Sequence, residues 1–157
     1  MKRFFAVLAF LLLSVSLLKA GDMKPRKPGP KDKCPVCGMF VAKYPDFVSQ
    51  IIFKDGACAF FDGVKDMMKY LFNLKKYGQG KKEDDIVSIY VTDYYSLESI
   101  DGLEAFYVSG SDVYGPMGKE LIPFEQESEA QEFLKDHKGR KIWRFKEIDE
   151  TMIKGLD

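Results

Sequence analysis

Apolar positions along this chain recur with two different periods, and the switches between them predict its elements. Residues 47–53 are β-branched and aromatic, Asp55-Gly56 is a hairpin turn signal, and residues 57–61 return as a second strand. Val64, Met67, Met68, Leu71 and Phe72 then fall at i, i+3, i+4, i+7 and i+8. That spacing predicts a helix, capped by Asp62 and ending near Gly78. Met67 and Met68 lie on its apolar stripe and read as core filler. After the polar break YGQGKKEDD, residues 86–93 resume the strand pattern.

The same order then recurs. Residues 103–109 and 120–124 read as strands, and Ser128 with Gln131 forms a capping box for a helix carrying Ala130, Phe133 and Leu134. Gly139 closes that helix, and residues 141–147 are the last strand. Phe60-Phe61-Asp62 in the first half stands opposite Pro123-Phe124-Glu125 in the second, each at a hairpin-to-helix junction, as an internal duplication would leave them. Pro123 cannot donate to a ladder, which puts its strand at a sheet edge. The fold class expected is α+β: two ββαβ units, about 34–95 and 96–150, with antiparallel hairpins each covered by a helix and a pocket where the units meet.

The residues before the first strand concern location. Lys2 and Arg3 precede an apolar run over 4–18 that ends in Lys19-Ala20-Gly21, the pattern of a secretory signal peptide over residues 1–20. Leu18 is not the small residue a cleavage site favours, so an uncleaved N-terminal anchor is the alternative. The end of the run offers no cysteine for lipid attachment, and a periplasmic protein that is not a lipoprotein is expected. Residues 21–33 are rich in proline and lysine and read as a flexible linker. Removing residues 1–20 takes Lys2, Arg3 and Lys19 from a balance of 24 basic and 24 acidic groups, which leaves a net charge of about −3. Such a chain has no clustered positive charge to favour nucleic acid or an anionic membrane surface.

The chemistry is concentrated in Cys34-Pro35-Val36-Cys37-Gly38-Met39. The chain has three cysteines, an odd count that does not make a disulfide framework. As a redox couple, the pair needs a thiolate activated at a helix N-terminus, and the sequence after Cys37 is too short and β-prone to be that helix. As structural zinc, it needs two more ligands, and only Cys58 and His137 offer Cys or His chemistry. A soft monovalent copper ion fits thiolate with thioether. Met39 would point the same way as Cys37 if the segment is extended, although a core role for it stays open. Cys58 reads as a buried small hydrophobe and His137 as a capping or packing residue at a helix end. Asp62 and Asp66 read as helix-start charges. Nothing in the chain suggests a nucleophile–base pair or a phosphate loop, so no enzymatic activity is expected.

CGM, then FFDGVKDMMKY, IYVTDYY, AFYVSGSDVYGPMGKELIPF and EAQEFLKDHKGRKIWRF in that order resemble the NosL family, accessory proteins of nitrous oxide reductase. The resemblance runs from Cys34 to about Ile148. It implies a periplasmic Cu(I) metallochaperone of two ββαβ repeats, related to the organomercurial lyase fold, with a copper donor and nitrous oxide reductase or a similar copper enzyme as recipient. It also implies metal binding by the cysteine of CGM, here Cys37, and the methionine of PMG, here Met117. The chain departs from the family in lacking a lipid-bearing cysteine and a histidine soon after CGM, and in adding Cys34. The ligand set expected is therefore Cys34, Cys37 and Met117, with Met39 as an alternate thioether. A periplasmic thiol–disulfide oxidoreductase using the CPVC pair is the alternative function.

Overall fold

The computed structural model describes residues 24–157. The expected signal segment lies outside the described residues. Strands β1 (Ser49–Phe53) and β2 (Cys58–Phe61) form the first hairpin, followed by helices α1 (Val64–Phe72) and α2 (Leu74–Tyr77) and strand β3 (Ile86–Thr92). A short β4 (Ser99–Asp101) leads to the second hairpin of β5 (Phe106–Gly115) and β6 (Gly118–Phe124), then α3 (Glu127–Asp136), β7 (Lys141–Arg144) and a terminal α4 (Glu150–Lys154). One antiparallel sheet has the order β2-β1-β3-β4 and the other β6-β5-β7. In each, the helix carries the chain from the hairpin back to pair a third strand with the first. The fold is the expected α+β arrangement of two ββαβ repeats, each hairpin covered by its helix. Pro123 does sit on an edge strand, where its carbonyl accepts from Tyr94 N–H at 3.0 Å.

Side-chain alternation in the second sheet divides the core. Tyr107 and Leu121 point into the larger cluster with Ile51, Phe61, Val64 and Met67, whereas Val108 and Ile122 point the other way, to Phe124, Ala130 and Phe133. Successive strand residues face opposite sides, so β5 and β6 form a wall between the two clusters. That is why these central strand residues are apolar at consecutive positions.

Several boundaries differ from the sequence pattern. Residues 45–47 form a tight helical turn led by Pro45, and β1 therefore begins at Ser49. The first helix breaks at Asn73 before α2 continues to Gly78. Asp62 does not cap α1: Gly63 is the residue before the helix, and the Asp62 carboxylate is engaged elsewhere. The Ser128–Gln131 box does not form either, because the helix starts two residues early with Gln126 before it and Ser128 inside. β5 starts at Phe106, with Leu103 45% exposed, and it runs on to Gly115. β7 gives way to a helical turn over Phe145–Glu147. β4 and α4 were not expected: three residues are too few to show a period, and α4 is a single short turn begun by Asp149, which accepts from Met152 N–H at 2.8 Å. The described part of the linker is fastened down. Arg26 and Gln50 exchange backbone-to-side-chain hydrogen bonds of 2.8 and 3.0 Å, and the Arg26 guanidinium donates to Gly56 O at 2.7 Å.

Two buried carboxylates join the repeats. Glu120 on β6 accepts from Lys65 N–H in the first turn of α1 at 2.6 Å and from Leu121 N–H at 2.8 Å. Asp93, just after β3, accepts from Glu125 N–H at 2.8 Å, ahead of α3. Lys65 completes the joint: its ammonium donates to Met117 O at 2.8 Å and to Leu156 O at 3.4 Å. A Cβ on Gly63 would lie 2.1 Å from Glu120 Oε2, so the close approach of hairpin and helix requires glycine there.

Burial pushes the Glu120 carboxyl up to about 8, against the Leu121 and Lys65 amides, which pull it down. The folded form thus holds a proton that the unfolded chain releases near the usual glutamate value. Its contribution to stability is complete below the unfolded value and is lost as pH rises through about 8. A shift of that size corresponds to on the order of 5 kcal/mol. Denaturant melts from pH 5 to 9 should show stability falling in wild type and a flatter profile in Glu120→Gln, while parallel profiles would contradict this account.

Candidate functional site

Among the described residues, Cys34, Cys37, Asp62 and Asp66 bring one ligand atom each within 4.8 Å of one another. The cysteines come from a loop closed on itself: Cys34 N–H donates to Met39 O and Gly38 N–H to Cys34 O, both at 2.9 Å, with a bridge between Lys33 and Phe40 beside them. Gly38 has φ 81°, the left-handed region that a side chain resists, and it turns the chain after Cys37. The extended geometry that would align Met39 with Cys37 is therefore absent. Met39 is half-buried.

The aspartates arrive from the other side, at the end of β2 and in the first turn of α1. Asp62 precedes the helix and Asp66 lies inside it, and both carboxylates reach the loop. Asp62 and Asp66 are 1% and 3% exposed. Cys37 Sγ donates to Asp62 Oδ1 at 3.1 Å and Cys34 Sγ to Asp66 Oδ2 at 3.4 Å. Asp62 Oδ2 is buried with no hydrogen-bond partner. These two residues were read as helix-start charges. The signal that could have found them is their setting: a carboxylate pair flanked by Phe61 and Met67 must enter a core with a reason to be there.

Cys34 is 1% exposed and Cys37 half-buried. Burial pushes the Cys34 thiol up to about 12, with backbone N–H groups of Cys37 and Val36 opposing and the Asp62 and Asp66 carboxylates adding to the rise. The Cys37 thiol also rises, first from burial and then from the two carboxylates, against the Met39 amide. A disulfide-exchange enzyme needs the reverse, a thiolate stabilised by positive surroundings. This environment suits thiols that lose their protons only to a metal ion.

The remaining residues lie apart from this cluster or reach it indirectly. Cys58 faces Gln50 Oε1 at 3.7 Å and is only partly buried, less so than expected. His137 ends α3, stacked on Phe133 with centroids 4.3 Å apart and held by Asp112 at 3.0 Å, a packing role as expected. Neither completes a zinc site with the CPVC pair. Met117 sits at the β5–β6 turn, 44% exposed, and Lys65 fastens its carbonyl to α1, the helix that carries Asp66.

Fold and cluster together define a small α+β protein with a thiol–carboxylate pocket fit for a metal ion. Residues 25–153 match the model of the NosL family, and the chain belongs to that family. It is 27% identical over 135 residues to the copper-binding lipoprotein NosL of Stutzerimonas stutzeri, a match that takes in 78% of this chain and 64% of that protein. The fold is that of the copper chaperone NosL from Shewanella denitrificans, with TM-score 0.70 and 23% identity over 82% of this chain and 98% of the other.

Thiolate is scarce in this pocket, so in reduced, metal-free protein Cys34 and Cys37 should alkylate with iodoacetamide at pH 8 at least about a hundredfold more slowly than a small-molecule thiol. Asp62→Asn should speed the reaction at Cys37. Rates matching the free thiol, mapped by mass spectrometry, would contradict the assignment.

Proposed function

We propose that this protein is an exported, periplasmic metallochaperone that binds Cu(I) and hands it to nitrous oxide reductase or a similar copper enzyme. Family membership supports the class, and the curated relative is named for copper binding. The chain spans 64% of that relative's length, so its partners are carried over as part of the proposal. The proposed ligands are Cys34, Cys37 and Met117, with Met39 as the alternate thioether. Thiolate and thioether together select a soft monovalent ion.

One observation carries the reading. The turn bearing Met117 is tied by Lys65 to the same helix whose first turn faces both thiols. This tether between segments far apart in sequence supports a ligand set drawn from both. A short ligand list also suits a carrier, because a partner's sulfur or nitrogen can replace one ligand at a time.

Anaerobic titration of reduced protein against a chromogenic Cu(I) chelator should show one tightly held copper per chain. Cys37→Ser should weaken binding at least about a hundredfold and Met117→Leu about tenfold, with an unchanged melting temperature for Met117→Leu. Failure to compete under strict reduction would overturn the function, and unchanged affinity in Met117→Leu would remove that residue from the site.

A further inference from the structure

The pocket contains more donors than a thiolate–thioether copper site uses. Two buried carboxylates face the cysteines, one with an oxygen that has no partner. An unpaired buried carboxylate oxygen costs stability unless something satisfies it. Zinc bonds of about 2.3 Å to sulfur and about 2.0–2.2 Å to oxygen, arranged as a tetrahedron, give ligand–ligand edges of about 3.3–3.8 Å. The two sulfur–oxygen distances of 3.1 and 3.4 Å are close to such edges already, and all four ligand atoms lie within 4.8 Å of one another.

Cys34 is fully interior, with its sulfur 3.4 Å from the buried Asp66 carboxylate.

The geometry points to Cys34, Cys37, Asp62 and Asp66 as a four-coordinate site for a borderline divalent cation of the zinc(II) class, complete without Met117. The step is an exchange with no redox change: the cation forms two metal–sulfur bonds, and the two thiol protons pass to solvent. A dication offsets more of the charge on two thiolates and two carboxylates than a monovalent ion does, and it satisfies Asp62. Cys37 belongs to both ligand sets, so one ion excludes the other. The divalent site does not rest on the copper reading, because the two differ in Met117 on one side and the aspartates on the other.

Cobalt(II) added anaerobically to the reduced chain is the probe. Wild type should give thiolate-to-cobalt charge transfer in the near ultraviolet and intense tetrahedral ligand-field bands in the visible, saturating at one equivalent and abolished by zinc(II). Asp62→Asn and Asp66→Asn should each weaken cobalt binding at least about tenfold, and Met117→Leu should leave it unchanged. Near-ultraviolet circular dichroism, reporting Trp143, checks that each variant keeps its fold. Absence of the tetrahedral thiolate spectrum in wild type overturns the site, as does full affinity in both folded aspartate variants or loss of binding in Met117→Leu. Chelator competition for Cu(I) on the same proteins is scored separately: copper binding without cobalt binding refutes only the divalent site, and the converse refutes only the copper reading.

Discussion

The arrangement depends on one buried carboxylate, that of Glu120, which takes two backbone N–H groups from two different repeats. A charged or protonated carboxyl in the interior is tolerated only with partners of this kind. The partners it takes are the second residue of α1 and its own neighbour on β6, so hairpin and helix cannot slide past each other without orphaning all three groups. Asp93 makes a converse link, from the end of the first repeat to the backbone ahead of α3. Each repeat thus lends a carboxylate to the start, or the approach, of the other's helix. Van der Waals packing across the β5–β6 wall would hold the halves together, but it is these directional bonds that set their register.

That register is what gives the site its form. Because the second hairpin abuts the start of α1, the first turn of this helix is enclosed on that side, and Asp66 is interior despite following a lysine. The CPVCGM loop closes the other side, with Gly38 turning it back and Lys33 and Phe40 bridging its base. The thiols and carboxylates all belong to the first repeat and meet between its CPVCGM loop and the start of its helix. Hydrogen bonds from sulfur to carboxylate hold the metal-free pocket together, yet they leave Asp62 Oδ2 unmatched. Two buried carboxylates against two thiols, with one oxygen unmatched, make a cluster whose electrostatics favour a cation.

Much of the fold could be read from period and turn chemistry, since the two hairpins, both helices and the Pro123 edge follow from local pattern. The misreadings share a cause. Asp62 has the form of a cap and Ser128 with Gln131 the form of a box, but tertiary contacts claim Asp62 and an early helix start absorbs Ser128. β4 and α4 are too short for periodicity to register. In the site, the cysteines were legible because sulfur at CxxC spacing has few other uses. The aspartates were not, because a carboxylate at a helix start is ordinary, and only long-range burial distinguishes these two. Met117 was legible only through the family resemblance, and its tether through Lys65 was not legible at all, since nothing local marks a lysine as interior.

The depths of the two sulfurs differ, and this bears on how an ion could leave. Cys34 is sealed in the core, and Cys37 retains partial exposure. A ligand that reaches the cluster from solvent therefore meets Cys37 before Cys34. The Met117 side chain is exposed on its own turn. A buried sulfur beside a reachable one resists loss of a bound ion to water but admits a competing sulfur or nitrogen, because only the latter supplies a replacement bond before the old one breaks. Cys34, which the CGM motif alone lacks, is the deeper of the two sulfurs and leaves Cys37 open.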